Sequence, residues 1–169
     1  SQHRGGLYCP CYGTFGGAGL AQLYEANEDQ KKRYLYPTLK GEKHGFFGLT
    51  EPSGGSDPAR AIKTSAVKDG DDWVINGGKI FISGADKADY GIVFARTDSS
   101  KGREGITCFL VDADAPGFHV RRVVHTLRST SYATELQFDN LRVSAANVLG
   151  EVNRGWYIAT TTLDFERSS

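Results

Sequence analysis

The stretch IKTSAVKDGDDWVINGGKIFIS, residues 62–83, decides the fold. Ile62 to Lys68 and Trp73 to Ile75 carry the period of two of a half-buried strand, and Asp69-Gly70-Asp71 between them is turn chemistry. That pattern is a β-hairpin with Asp-Gly at its turn. Asn76-Gly77-Gly78 reads as a second turn leading into Lys79-Ile80-Phe81-Ile82-Ser83. Strict alternation there puts Ile80 and Ile82 on one face and Phe81 and Ser83 on the other.

Outward from this core the strands continue. Tyr90–Arg96, Gly105–Val111, Phe118–Val123, Thr134–Phe138 and Leu141–Val143 are strand candidates. Turn signals separate them at Asp98-Ser99-Ser100-Lys101-Gly102, Ala115-Pro116-Gly117 and Asp139-Asn140. So many short strands in about 100 residues predict an antiparallel barrel or sandwich. The flanks are helical. Phe15–Glu25 has apolar residues at helical spacing. Asn27 is placed to cap a helix over residues 28–35, with Glu28 and Asp29 in its first turn. Pro37 either kinks that helix or starts a new turn. Trp156–Arg167 reads as the opening turns of another helix. The layout is therefore mainly β: helical residues 1–45, a β domain over 46–150, and a helix start over 151–169.

Composition narrows the function classes. Twenty basic and 20 acidic residues give a formal net charge of zero, which lacks the basic excess of a nucleic-acid binder. No apolar run reaches the roughly 18 residues of a membrane span. Gly is 21 of 169 residues, about 12% against a typical share of about 7%, which fits a turn-rich β chain. Met is absent, so an internal piece of a longer polypeptide is expected, a processed N-terminus being the other option. Cys9, Cys11 and Cys108 form no disulfide framework or metal spacing and read as free thiols of a reducing compartment.

Candidate chemistry starts at Phe46-Phe47-Gly48-Leu49-Thr50-Glu51-Pro52-Ser53-Gly54-Gly55-Ser56-Asp57. A strand runs into a loop with two adjacent glycines and hydroxyls at 50, 53 and 56. Glycines let backbone N–H groups approach an anion or a flat heterocycle, and short hydroxyls add placeable donors and acceptors. A plain connecting loop has a similar composition. In Phe81 and Ser83 the second segment offers a ring and a hydroxyl on one strand face, able to cover an aromatic ligand and bond its edge.

Taken together, the two segments resemble the acyl-CoA dehydrogenase family. The resemblance rests on GLTEPSGGSD at 48–57, DGDDWVINGGKIFISGAD at 69–86, LRVSAANVLGE at 141–151 and LDFER at 163–167. EDQKKRYLYPTLKGE at 28–42 is similar to the helix that precedes the family's barrel. The resemblance implies a β-barrel of middle-domain type between truncated all-α domains, with FAD in a cleft beside it. Phe47, Leu49, Thr50, Gly55 and Ser56 would then line the flavin, with the Thr50 hydroxyl near its N1–O2 edge. Phe81 stands where the family usually has Trp against the isoalloxazine. Ile82 and Ser83 follow it, Ser83 where a Thr hydroxyl approaches N5. Ser56 would also touch the pyrophosphate or the substrate chain. Asp164 and Arg167 match residues that touch substrate, and Glu166 stands where a minority subgroup places its catalytic base. In the rest of the family that Glu lies farther along, beyond residue 169.

The implied reaction is α,β-dehydrogenation of an acyl-CoA thioester to the trans-2-enoyl-CoA, with hydride transfer to flavin N5. Fixed dipoles at the N1–C2=O edge would favour the reduced ring, and a carboxylate would take the α-proton. Also implied are an electron-transferring flavoprotein as acceptor, a homotetramer or dimer, and a bacterial cytoplasmic or mitochondrial matrix setting. A piece of this extent would not complete an active site alone. Two other functions share the scaffold: a flavin monooxygenase or nitroalkane-type oxidase, and a non-catalytic partner subunit. His3, His44, His119 and His125 have no evident partners. Arg128 is a modest candidate for a phosphate contact.

Overall fold

The computed structural model describes residues 20–124 and 133–168, with residues 20 and 162–168 described by backbone alone. His3, Cys9, Cys11, His125 and Arg128 lie outside the described residues.

Helix α1 (Leu20–Leu23) is followed by α2 (Glu28–Gln30), a π turn (Lys31–Leu35) and α3 (Tyr36–Leu39), the last three running on without a break. Asn27 caps α2 as the sequence predicts. Its side chain accepts from the Gln30 N–H at 2.9 Å, while the Gln30 side chain accepts from the Asn27 N–H at 3.1 Å. The amide of Gln30 also donates to the carbonyls of Ala146 and Val148, 2.8 Å each, so one residue both starts the helix and docks it on the sheet. Pro37 has no N–H to give and sits in the first turn of α3. The wide π turn before it, closed by Tyr36 N–H to Lys31 C=O, lets the helix pass the proline.

Eight strands form one sheet: β1 (Gly45–Gly48), β2 (Ser65–Asp69), β3 (Asp72–Ser83), β4 (Tyr90–Arg96), β5 (Ile106–Asp112), β6 (Phe118–Val124), β7 (Ala133–Ser144) and β8 (Val148–Leu149). The hydrogen-bonded path is β6-β7-β3-β2-β4-β5-β8, with β1 on β4. Helix α4 (Pro58–Ala61) lies between β1 and β2, and α5 (Gly155–Ser168) follows β8. The expected antiparallel sheet is in fact mixed. β1 pairs with β4 in parallel, and β2 touches β4 in parallel through Ser65 and Arg96. Among the described residues the hydrogen bonds do not close a ring.

The β2–β3 hairpin forms as expected, with Asp69 opposite Asp72 and Gly70 at φ +60°. The second expected turn does not form, because Asn76-Gly77-Gly78 lies within the continuous strand β3. Nor do Asp139 and Asn140 turn, since they belong to β7. The two long strands pair antiparallel, and at these positions the register slips by one residue. The Asn76 side chain bridges the slip: it accepts from the Asn140 N–H at 2.8 Å and donates to the Asn140 side chain at 3.3 Å. Gly77 is required by crowding, since a Cβ there would lie 2.6 Å from Thr64 Cα.

Such bulges bend a strand pair. The sheet accordingly curls until β3 and β7 face β4 and β5 across a shared core. Trp73, Ile75, Leu136, Phe138 and Val143 pack there against Val93, Phe109 and Val111, with the rings of Trp73 and Phe109 5.7 Å apart. The opposite faces of β4 and β5 give Ile92, Phe94, Ile106, Cys108 and Leu110 to a second core, which Leu23, Tyr34, Leu35, Ile158 and Ala159 of the helices cover. Cys108 is a buried free thiol. Tyr34 fastens the helical side: its hydroxyl donates to Asp112 at 3.0 Å and receives from the Asn147 amide at 3.3 Å. Arg33 pairs with the same Asp112.

One charged pair lies inside. Lys79 of β3 is fully buried and Glu51 nearly so. The Lys79 ammonium donates to Glu51 Oε1 at 2.7 Å, to the Phe94 carbonyl at 2.6 Å and to the Leu49 carbonyl at 3.2 Å. The Glu51 carboxylate also receives the N–H groups of Lys63 at 2.7 Å and Thr64 at 3.1 Å. Burial pushes the Lys79 ammonium down to about 8, against the opposing pull of the Glu51 charge. Burial works to raise Glu51, but the Lys79 charge and the hydrogen bonds from Lys79, Lys63 and Thr64 together hold it below the ordinary 4.5.

Two predictions follow from packing and charge. A Cβ on Gly91 would fall 2.0 Å from the Phe46 ring. Gly91→Ala should lower the urea midpoint, by about 1–3 kcal/mol of stability. For Glu51 the sign is set by the unfolded chain, whose ordinary carboxyl binds a proton first as pH falls. The contribution is complete above pH 4.5 and is lost as pH drops through the lowered value. Urea midpoints of the wild type should fall between pH 6 and pH 3 more steeply than those of Glu51→Gln; parallel curves would contradict it.

Candidate functional site

Strand β1 leaves the sheet at Gly48, and Leu49 and Thr50 lead into a turn at Glu51–Gly54, closed by Gly54 N–H to Glu51 C=O at 3.1 Å. Pro52 and Ser53 occupy its centre, and the Ser53 hydroxyl donates to the Ala61 carbonyl at 2.6 Å. Asp57 then caps α4, accepting from the Arg60 N–H at 3.3 Å, and Pro58 opens the first turn. The loop is thus tied at both ends, leaving Gly55 and Ser56 exposed between.

The far half of β3 runs beside this loop. The Ile80 N–H donates to the Thr50 carbonyl at 3.0 Å, so the two segments singled out in the sequence are neighbours. Here β3 bulges again: Lys79 faces Leu136 and Ile82 faces Thr134 of β7, three steps on one strand against two on the other. Phe81 takes up the extra residue at φ +60°, a conformation rarely adopted by bulky residues and one that stores about 1–3 kcal/mol. Its ring is 61% exposed. Thr134 secures the bulge, its hydroxyl donating to the Ile82 carbonyl at 2.8 Å.

The bulge corrects the expected alternation. Lys79 and Ile82, not Ile80 and Ile82, are the fully buried positions. Phe81 and Ser83, expected on one face, are both exposed. Leu49 and Ile82 differ from the expected lining: both side chains are buried in the cores, leaving only their main chain for any ligand. Phe47 is half-buried and packs edge-on against Phe94, with centroids 5.2 Å apart. Thr50 is half-buried, and the hydroxyls of Thr50, Ser56 and Ser83 have no side-chain hydrogen bond among the described residues. Hydroxyls without a side-chain partner among the described residues, next to an exposed aromatic residue, suit a flat, polar-edged ligand. Asp164, Glu166 and Arg167 stand on α5, and their side chains lie outside the described residues.

Reading the sequence alone missed the roles of Glu51 and Lys79, although both stand inside the quoted motifs. The available signal is a Lys at an inward strand position, after the buried Trp73 and Ile75. It also missed Arg96, which donates to the carbonyls of Ile62 at 3.0 Å, Ala59 at 2.8 Å and Gly102 at 2.6 Å. Arg96 borders a shallow cleft of about 470 Å³ together with Ala59, Arg60, Lys63 and Ser99. Its guanidinium is committed to those carbonyls, and the cleft is not lined by Phe81 or Ser83.

Comparison with known proteins agrees with this architecture. The family model "Acyl-CoA dehydrogenase, middle domain" matches residues 46–141. A short-chain-specific acyl-CoA dehydrogenase of Clostridium acetobutylicum is 44% identical over 138 residues, 81% of this chain and 36% of that protein. A caffeyl-CoA reductase–Etf complex subunit of Acetobacterium woodii is 39% identical over 151 residues, 89% of this chain and 40% of that subunit. The structure of butyryl-CoA dehydrogenase from Megasphaera elsdenii superposes with a TM-score of 0.83 at 40% identity, covering 88% of this chain and 39% of that one. The chain therefore spans well under half the length of these relatives. With the middle-domain match covering more than half of its residues, the chain belongs to the acyl-CoA dehydrogenase family.

Proposed function

We propose that this chain contributes the flavin-facing part of an FAD-dependent acyl-CoA dehydrogenase. The reaction is α,β-dehydrogenation of an acyl-CoA thioester to the trans-2-enoyl-CoA. The observation that carries the reading is Phe81, an exposed ring held at a strained φ beside the Thr50 segment. An aromatic fixed at such a cost, on a strand end hydrogen-bonded to the hydroxyl-bearing loop, fits the isoalloxazine of FAD. The curled sheet is read as the family's barrel, and residues 1–45 and 151–169 as parts of flanking helical domains.

Bound FAD supplies the two-electron acceptor for the hydride that leaves the substrate β-carbon. The chain's own groups bind and orient. Phe81 gives a ring face. The Thr50 hydroxyl would hold the N1–O2 edge and the Ser83 hydroxyl the N5 side. Gly55 leaves room for close backbone approach, and Ser56 touches the pyrophosphate or the thioester chain. Phe47 would line the flavin, its ring held edge-on by Phe94, while Leu49 and Ile82 would contribute main chain only. Glu166 is the candidate to take the α-proton, a second candidate being a Glu outside this chain, and Asp164 and Arg167 touch substrate. The name of the Acetobacterium relative supports an electron-transferring flavoprotein as a partner, here read as the electron acceptor. A homotetramer or dimer in a bacterial cytoplasm or a mitochondrial matrix completes the reading.

The test is mixing of the full-length protein with short-chain acyl-CoA, first anaerobically and then in air. The expected result is bleaching of the flavin and turnover with an artificial acceptor, insensitive to oxygen. Oxygen consumption instead would favour an oxidase or monooxygenase, and a colourless protein a non-catalytic subunit. The double variant Thr50→Ala/Ser83→Val should bind FAD roughly tenfold more weakly or be reduced more slowly, from the loss of two hydrogen bonds. An unchanged flavin spectrum and reduction rate in that variant would refute the assignment of these two hydroxyls.

A further inference from the structure

We propose that Glu51 and Lys79 are a positioning pair for the cofactor bed: the ion pair sets the spacing between the Thr50 segment and the Phe81–Ser83 strand end. The inference rests on the FAD reading above and extends it to two residues that need not touch FAD.

Three features of the geometry carry it. Leu49 and Glu51 flank Thr50, and both are bonded to the same ammonium, at 3.2 and 2.7 Å. Lys79 precedes Ile80, whose N–H holds the Thr50 carbonyl at 3.0 Å. Thr50 is therefore held at both sequence neighbours by one side chain and at its own carbonyl by the next residue of the same strand. The bulge begins where this clamp ends, at Ile80–Phe81. A third anchor, the Phe94 carbonyl at 2.6 Å, ties the ammonium to β4, and Lys63 and Thr64 fix the carboxylate from the α4–β2 connection. The ammonium thus has three acceptors from two segments, the Thr50 loop and β4, and the carboxylate three donors.

Stability alone is a weak reason for such a pair. Replacing a buried ion pair by uncharged groups of similar volume is often neutral or stabilising, whereas removing one partner strands a charge. A merely structural pair would therefore leave cofactor binding unmoved when both charges are removed together. A positioning pair would not.

The experiment uses the full-length protein, freed of flavin and titrated with FAD, in four forms: wild type, Glu51→Gln/Lys79→Met, Glu51→Gln alone, and Leu149→Ala. Leu149 lies on β8, at the end of the hydrogen-bonded path and outside the Glu51–Lys79 hydrogen-bond set, and controls for loss of stability. Readouts are the FAD dissociation constant from quenching of flavin fluorescence, the absorption envelope of the bound flavin, and the melting temperature of the apoprotein. The double variant should melt within a few degrees of wild type, bind FAD roughly tenfold more weakly and show a shifted envelope. Glu51→Gln, which strands the buried Lys79 charge, should melt lower than the double variant and move both flavin readouts in the same direction. Leu149→Ala should melt lower yet keep the wild-type constant and envelope. Wild-type flavin readouts in both Glu51 variants would overturn the positioning role while leaving the FAD reading intact. A wild-type protein that takes up no FAD would overturn that reading and this inference with it.

Discussion

An ammonium with no water around it must find three acceptors, and the structure around Lys79 is arranged to supply them. Leu49 comes from the end of β1, Glu51 from the following turn and Phe94 from the middle of β4. The carboxylate needs donors in turn and takes them from Lys63 and Thr64. Breaking such a set by losing one partner costs about 3–5 kcal/mol, a large part of the roughly 5–15 kcal/mol that holds a domain together. The parallel addition of β1 to β4, the path of the loop and the approach of Thr64 to Gly77 all converge on this one charge.

The same region holds the backbone strain. Two slips of register in the β3–β7 pair bend the long strands, one at Asn76 opposite Asn140 and one at Ile80–Phe81. The first is relieved by hydrogen bonds from an asparagine side chain. The second leaves Phe81 at positive φ with its ring outward. Curvature that closes one core around Trp73 and Phe109 is thus also what turns an aromatic side chain away from it. Fold and candidate site share a single cause.

This explains how much could be read beforehand. The β2–β3 hairpin, strand β4 and the Asn27 cap depend on local chemistry, namely an Asp-Gly turn, an apolar run and an amide before acidic residues, and all three were legible. The adjacency of the two motif segments was legible only through the family resemblance. Asn76-Gly77-Gly78 and Asp139-Asn140 carry turn residues for another reason: glycine makes room for Thr64, and the asparagines bridge a slipped ladder. Parallel pairing on β4 is a long-range choice with no local mark. Lys79 falls in step with the inward Trp73 and Ile75, the one local sign of its burial, whereas nothing local marks Glu51, and both belong to residue types that are almost always solvated. The side chains of Asp164, Glu166 and Arg167 lie outside the described residues, and their roles rest on the resemblance alone.

Strand β6 ends the hydrogen-bonded path among the described residues. His119, Val120, Arg121 and Arg122 are exposed along it, and the two guanidiniums share Glu135 of β7. A second molecule docking there edge to edge in antiparallel fashion would bring four guanidiniums together around two carboxylates. That electrostatic mismatch guards the margin against fibril-like growth, and the guard weakens as ionic strength rises.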